Sequence, residues 1–173
     1  MNTKEIPVWL IVLITALVAG GAVYLLTGKD QSAPSLTVEN SIAEATASSR
    51  EYAVMGRELW SAFSCSSWAS ILEDEVEQGR LFMYGYSQGQ EFLKAVEANK
   101  ISSEDFGQEV PIGVSLSLQG PTHEFILGQL FAFAQDSALD EVFTTNGEYN
   151  STDMQKIIAQ NKFTDSNCEL IGE

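Results

Sequence analysis

Residues 81–98 read LFMYGYSQGQEFLKAVEA. In this stretch Phe82, Tyr86, Gly89, Leu93 and Val96 fall at steps of 4, 3, 4 and 3. That spacing follows the turn of an α-helix and not the alternation of a strand. One face of a long helix therefore runs through it, ending near Asn99.

The neighbouring segments read the same way. Upstream, Tyr52, Met55, Leu59 and Phe63 recur at i, i+3, i+7 and i+11 and predict a first helix. Ser64-Cys65-Ser66-Ser67 reads as a break, after which Trp68, Ile71, Leu72 and Val76 resume the pattern. Downstream, Ser102 or Ser103 before Glu104-Asp105 is an N-cap followed by an acidic first turn. In Val110–Gln119, Val114, Leu116 and Leu118 alternate with polar residues, yet a lone strand has no sheet to join. That segment is an extended connector or a short helical turn. Gly120-Pro121 opens a helix over Thr122–Ala138, with Ala138–Phe143 as its possible extension, and Asn146-Gly147 marks a loop. Thr152 with Gln155 fits a capping box for a last helix through about Asn161, leaving a polar tail from Thr164. The expected fold class is all-α, with a compact domain of about five helices over residues 42–173.

The other end of the chain differs. Residues 6–26, IPVWLIVLITALVAGGAVYLL, carry no charge. Twenty-one helical residues span about 31 Å, close to the ~30 Å thickness of the hydrocarbon layer. Trp9 and Tyr24 stand near opposite ends, where interfacial aromatics belong. The expectation is a retained transmembrane helix over 6–26, after a cytoplasmic N-terminus at 1–5 and before a polar tether at 27–41. The alternative is a cleaved signal peptide, but the apolar run continues past the small residues Ala19-Gly20-Gly21-Ala22. The slight basic excess before the segment favours an N-inside orientation and an extracytoplasmic bulk.

Composition narrows the function classes. The 173 residues carry 9 Lys and Arg against 24 Asp and Glu, a net charge of −15. Nucleic acid is a poor partner for such a chain, because phosphate binding needs clustered cations. One histidine argues against a His-rich metal site, and no cofactor is expected. Two cysteines, Cys65 and Cys168, exclude a dense disulfide scaffold. In an extracytoplasmic domain an isolated pair is used as one disulfide, whereas two free thiols remain the alternative otherwise.

Gly85-Tyr86-Ser87-Gln88-Gly89 matches G-x-S-x-G and resembles the GYSQG of cutinase-type α/β-hydrolases. That resemblance implies Ser87 as nucleophile and His123, the only histidine, as base, with an acid such as Asp105 to orient it. Its context is missing, since a nucleophile elbow follows a buried strand and too few strands precede this one. The glycines fit a close helix crossing instead, with Tyr86 on the packed face. His123 otherwise reads as an exposed or capping residue. Glu73, Asp74, Glu75 and Glu77 read as a solvated helix face. Asn150-Ser151-Thr152 is a sequon. The stretch 124–133, EFILGQLFAF, serves either the core or an interface, with the core favoured.

Cys65, the G-Y-x-x-G helix, Val110-Pro111 and Cys168 together resemble small, disulfide-stapled, all-helical periplasmic proteins. Acid-stress chaperones and immunity proteins against type VI secretion amidases are of this kind. The resemblance samples about 100 residues and implies a helical, non-enzymatic binding domain. Those proteins are released after signal cleavage and are not so acidic, so no ligand carries over. The expected function is a membrane-anchored, non-enzymatic, extracytoplasmic domain that binds another protein, as an accessory subunit or an inhibitor or immunity-type factor. The alternatives are a small tethered serine hydrolase using Ser87 and an acid-stress chaperone.

Overall fold

The computed structural model describes residues 47–173. The expected transmembrane helix at 6–26, its interfacial Trp9 and Tyr24, and the tether at 27–41 lie outside the described residues. Among the described residues no helix is long and apolar enough to cross a membrane.

This region is mostly helical, with six α-helices among the described residues. They are α1 (Ser49–Ile71), α2 (Glu75–Glu97), α3 (Ser103–Glu109), α4 (Ile112–Ser115), α5 (His123–Phe143) and α6 (Thr152–Asp165). A two-stranded hairpin, β1 (Thr144–Thr145) and β2 (Glu148–Tyr149), joins α5 to α6, and a 3-10 turn at Cys168–Leu170 follows. The helix beyond the expected five is α4, the single turn into which Val110–Gln119 winds.

Capping residues set most of the starts. Ser48, Asp74, Ser102, Thr122 and Ser151 each accept a hydrogen bond from the backbone N–H three residues on. Ser48 and Glu51 complete a reciprocal capping box. The last helix is capped by Ser151 and not by Thr152 as the spacing suggested; Gln155 donates its side-chain amide to Asn150 O instead. It also runs on to Asp165, past Asn161.

The expected break at Ser64–Ser67 does not occur, and α1 passes straight through it. Serines disfavour helix interiors because their hydroxyls compete for backbone groups. Here the hydroxyls are spent on backbone carbonyls. Ser64 donates to Trp60 O and Ser67 to Phe63 O, while Ser66 reaches across to Gln78 O. The real interruption is at 72–74, where Glu73 takes a left-handed φ of 62°. Val76, expected on the packed face, opens α2 and is 80% exposed. Because Glu73 occupies a conformation that costs a β-carbon about 1–2 kcal/mol, Glu73→Gly is expected to stabilise the domain. The gain is about 0.5–1 kcal/mol, less whatever its 2.9 Å pair with Lys156 contributes. A urea midpoint no higher than that of the parent would contradict this.

Helix α1 lies at the centre, packed against α2, α3, α5 and α6. It meets α2 through reciprocal knobs and holes. A Cβ on Gly56 of α1 would lie 2.8 Å from the Phe92 ring of α2. A Cβ on Gly85 of α2 would lie 2.8 Å from the Phe63 ring of α1. Each helix thus offers a glycine to the other's phenylalanine, and the axes approach closely. The buried centre of α2 is consequently Leu81, Gly85, Gly89 and Phe92. Phe82, Tyr86 and Val96 of the sequence stripe flank this line and are partly buried. Phe63, Phe82 and Phe131 form an aromatic knot with centroids 5.1–5.8 Å apart.

Cys65 and Cys168 are joined by a disulfide, as expected, and both are buried. Leu81, Trp68, Phe163 and Ile171 surround it. Arg80 donates to the carbonyls of Cys168 and Ile171, holding the 3-10 turn against α2. The tail read as polar is therefore pinned to the core. At the other end Trp68 Nε1 donates to Ala138 O at 2.9 Å, tying α1 to α5.

Candidate functional site

The GYSQG motif lies in mid-helix. Residues before Ser87 are helical back to Glu75, so no strand leads into it. Gly85 and Gly89 face inward, Gly89 onto Leu127 of α5, while Ser87 is exposed. Asp105, in the first turn of α3, accepts hydrogen bonds from the hydroxyls of Ser49 and Ser102, which hold its carboxyl below its usual pKa. His123 Nε2 stands 3.4 Å from Glu97. Among the described residues no hydrogen bond or ion pair joins any two of Ser87, Asp105 and His123.

Two polar arrangements escaped the sequence reading. Glu109 ends α3 with its side chain only 7% exposed, held by Arg50 at 2.7 Å and by Arg57. A buried carboxylate needs such partners, and the pair locks α3 onto α1. Both guanidinium groups remain largely in solvent. The hint was a lone acid directly before the apolar Val110-Pro111.

The second is Tyr84, whose hydroxyl donates to Glu58 at 2.8 Å. Its ring lies under Gly172, where a Cβ would be 2.6 Å away. Burial first, and then the Glu58 carboxylate, push its pKa from 10.0 to about 12. A pKa raised on folding means that the neutral phenol is favoured in the fold. The associated stability is complete below pH 10 and is lost as pH rises from there to about 12. A titration followed by phenolate absorbance should show a step near pH 12, and Tyr84→Phe should remove it. A step near pH 12 that survives Tyr84→Phe would contradict it.

The sequon asparagine is engaged, since Asn150 Nδ2 donates to Val142 O at 2.9 Å. Among the described residues no group of three or more His, Cys, Asp or Glu is placed to hold a metal ion.

Charge is distributed unevenly. Every Lys and Arg among the described residues is engaged. Arg50 and Arg57 hold Glu109, Arg80 pairs with Glu77, Lys94 with Glu91, Lys156 with Glu73 and Lys162 with Glu141. Lys100 sits over the Tyr52 ring at 5.5 Å. Carboxylates such as Asp136 and Asp140 face solvent with no side-chain partner among the described residues.

The stretch 124–133 divides between the two roles open to it. Ile126, Leu127 and Leu130 point into the core, and Phe131 joins the aromatic knot. Phe125 and Phe133 point outward, 49% and 53% exposed. Gly128 and Ala132 lie on the exposed side as well. A helix that is apolar all round is normally enclosed; apart from His123, Glu124 and Gln129 the first three turns of α5 are apolar, yet they are enclosed on one side only.

Compared with known protein families, with curated proteins and with solved structures, the chain matches none.

Proposed function

We propose that this chain is a non-enzymatic protein-binding domain, anchored through residues 6–26 and displayed outside the cytoplasm. It serves as an accessory subunit of a membrane complex, or as an inhibitor or immunity-type factor. The supporting observation is the outward pair Phe125 and Phe133 on a helix whose other side already fills the core. Large apolar side chains grouped on a surface mark interaction sites. The location is supported by the buried Cys65–Cys168 disulfide, which suits an oxidising compartment. A non-enzymatic role is supported by Asp105 and His123 being engaged elsewhere and by Ser87 standing alone.

Affinity capture of the full-length chain from its native membranes tests this reading. A stoichiometric partner is expected. A chain recovered alone overturns it, as does fluorophosphonate labelling that Ser87→Ala abolishes.

One observation favours a second reading, the acid-stress chaperone. Hydrogen bonds hold the carboxyls of Glu77 (from Arg80), Asp105 (from Ser49 and Ser102) and Glu141 (from Lys162) below their usual range. A depressed carboxyl pKa contributes stability above the unfolded value, which is lost as pH falls through the folded one. Stability therefore declines below about pH 4. A chaperone would then expose apolar surface, read by an environment-sensitive dye between about pH 2 and 4. Absence of dye binding there removes the reading.

A further inference from the structure

We propose that the outer face of α5 docks a cationic amphipathic helix of a partner protein. The proposal rests on the protein-binding reading above and specifies the chemistry of the partner.

The residues on this face are Phe125, Gln129, Ala132, Phe133, Asp136 and Asp140, at i, i+4, i+7, i+8, i+11 and i+15. That is the spacing at which one helix meets another. Its amino-terminal half carries Phe125, Ala132 and Phe133 around one uncharged polar residue, Gln129. A Cβ on Gly128 would meet nothing within 4 Å, so the backbone is bare on the Phe125 side of this face and an approaching helix can come close there.

The carboxyl-terminal half has a different character. An open hollow of about 610 Å³ is lined by Gln135, Asp136, Ser137, Leu139, Asp140 and Phe143. Leu139 and Phe143 supply an apolar wall, and Asp136 and Asp140 supply charge. A lysine or arginine suits that combination, laying its aliphatic stem on the wall and its cation between the carboxylates.

Charge complementarity decides the occupant. The face is bounded by Glu124 at one end and by Asp136 and Asp140 at the other. A second copy, antiparallel or parallel, would set carboxylates against carboxylates, and an anionic lipid surface would be repelled. The described residues offer no unengaged Lys or Arg to satisfy these acids from within. The partner must bring its own cations around an apolar stripe.

The test uses the full 173-residue chain in zwitterionic lipid nanodiscs. The probe is a dye-labelled model helix of leucine and lysine, apolar on one side, followed by anisotropy with empty discs as baseline. Binding is expected. Phe125→Ser with Phe133→Ser should weaken it about thirtyfold, the loss typical of central aromatic anchors. Asp136→Asn with Asp140→Asn should weaken it about fivefold and flatten its salt dependence. Glu104→Gln, an exposed acid on α3, should leave it unchanged. Melting curves matching the parent show that these surface variants keep the fold.

Unchanged binding by the serine variant overturns the proposal. Equal affinity for a leucine–glutamate helix does so too. So does a concentration-dependent dimer that Phe133→Ser abolishes, which would assign the face to a second copy. The two readings fail separately. A captured native partner still held by the serine variant keeps the binding role and discards this face. Peptide binding with no native partner discards the role and keeps the face.

Discussion

Replacing both Cys65 and Cys168 by alanine is expected to lower the unfolding free energy by about 2–5 kcal/mol. The bond links positions 103 residues apart, and a long loop restricts the unfolded chain most in the entropy account of cross-links. Native contacts add to this. The 3-10 turn carries Cys168 into the pocket of Leu81, Trp68, Phe163 and Ile171. Without the bond, only the Arg80 hydrogen bonds and this packing hold the turn. Because both sulfurs are buried, a thiol reductant must wait for local opening. Reduction in native buffer should be slow and should accelerate in sub-denaturing urea. A urea midpoint unchanged by the double substitution would refute the account.

The second large effect is at the crossing of α1 and α2. Gly85→Val places a Cβ 2.8 Å from Phe63 Cδ1 and 3.1 Å from Ala62 Cβ, and both neighbours are fully buried. The Phe63 ring is clamped by Phe82 and Phe131 and cannot swing away. The helices must separate, at a cost of about 3 kcal/mol or more. Gly79→Ala in the same helix is the control. A Cβ there meets nothing within 4 Å, so only helix propensity changes and the domain should gain about 1 kcal/mol. Equal effects at the two glycines would show that propensity, not the close approach, governs both.

These two experiments also mark what could be read in advance. The helical period, a serine cap at 102 or 103 and the cysteine pair are local or compositional signals, and they were legible. The position of the α2 face was legible only to within one residue. Its centre is built on Gly85 and Gly89, which carry no hydropathy, so the flanking Phe82 and Tyr86 dominated the pattern. The serine run misled because the hydroxyls of Ser64 and Ser67 turn back onto their own helix, an outcome that composition cannot distinguish from a break. Glu109 and Tyr84 depend on Arg50, Arg57 and Glu58, all at least 26 residues away, and no local pattern announces such pairings. The outer face of α5 was half visible. EFILGQLFAF announces an aromatic helix, but only the packing decides that Phe131 turns in and Phe133 turns out.

The disulfide also imposes an order in time on the making of the protein. Its first sulfur belongs to the central helix and its second lies 103 residues later. At about 5–20 residues per second of synthesis, Cys65 waits roughly 5–20 s for its partner. The chain has only two cysteines, so no wrong pairing within one molecule is available during that wait. The hazard is another molecule's thiol, and it ends when the carboxyl-terminal elements bring Phe163, Cys168 and Ile171 over Cys65. Alkylation during pulsed synthesis should therefore find Cys65 reactive until the segment carrying Cys168 docks.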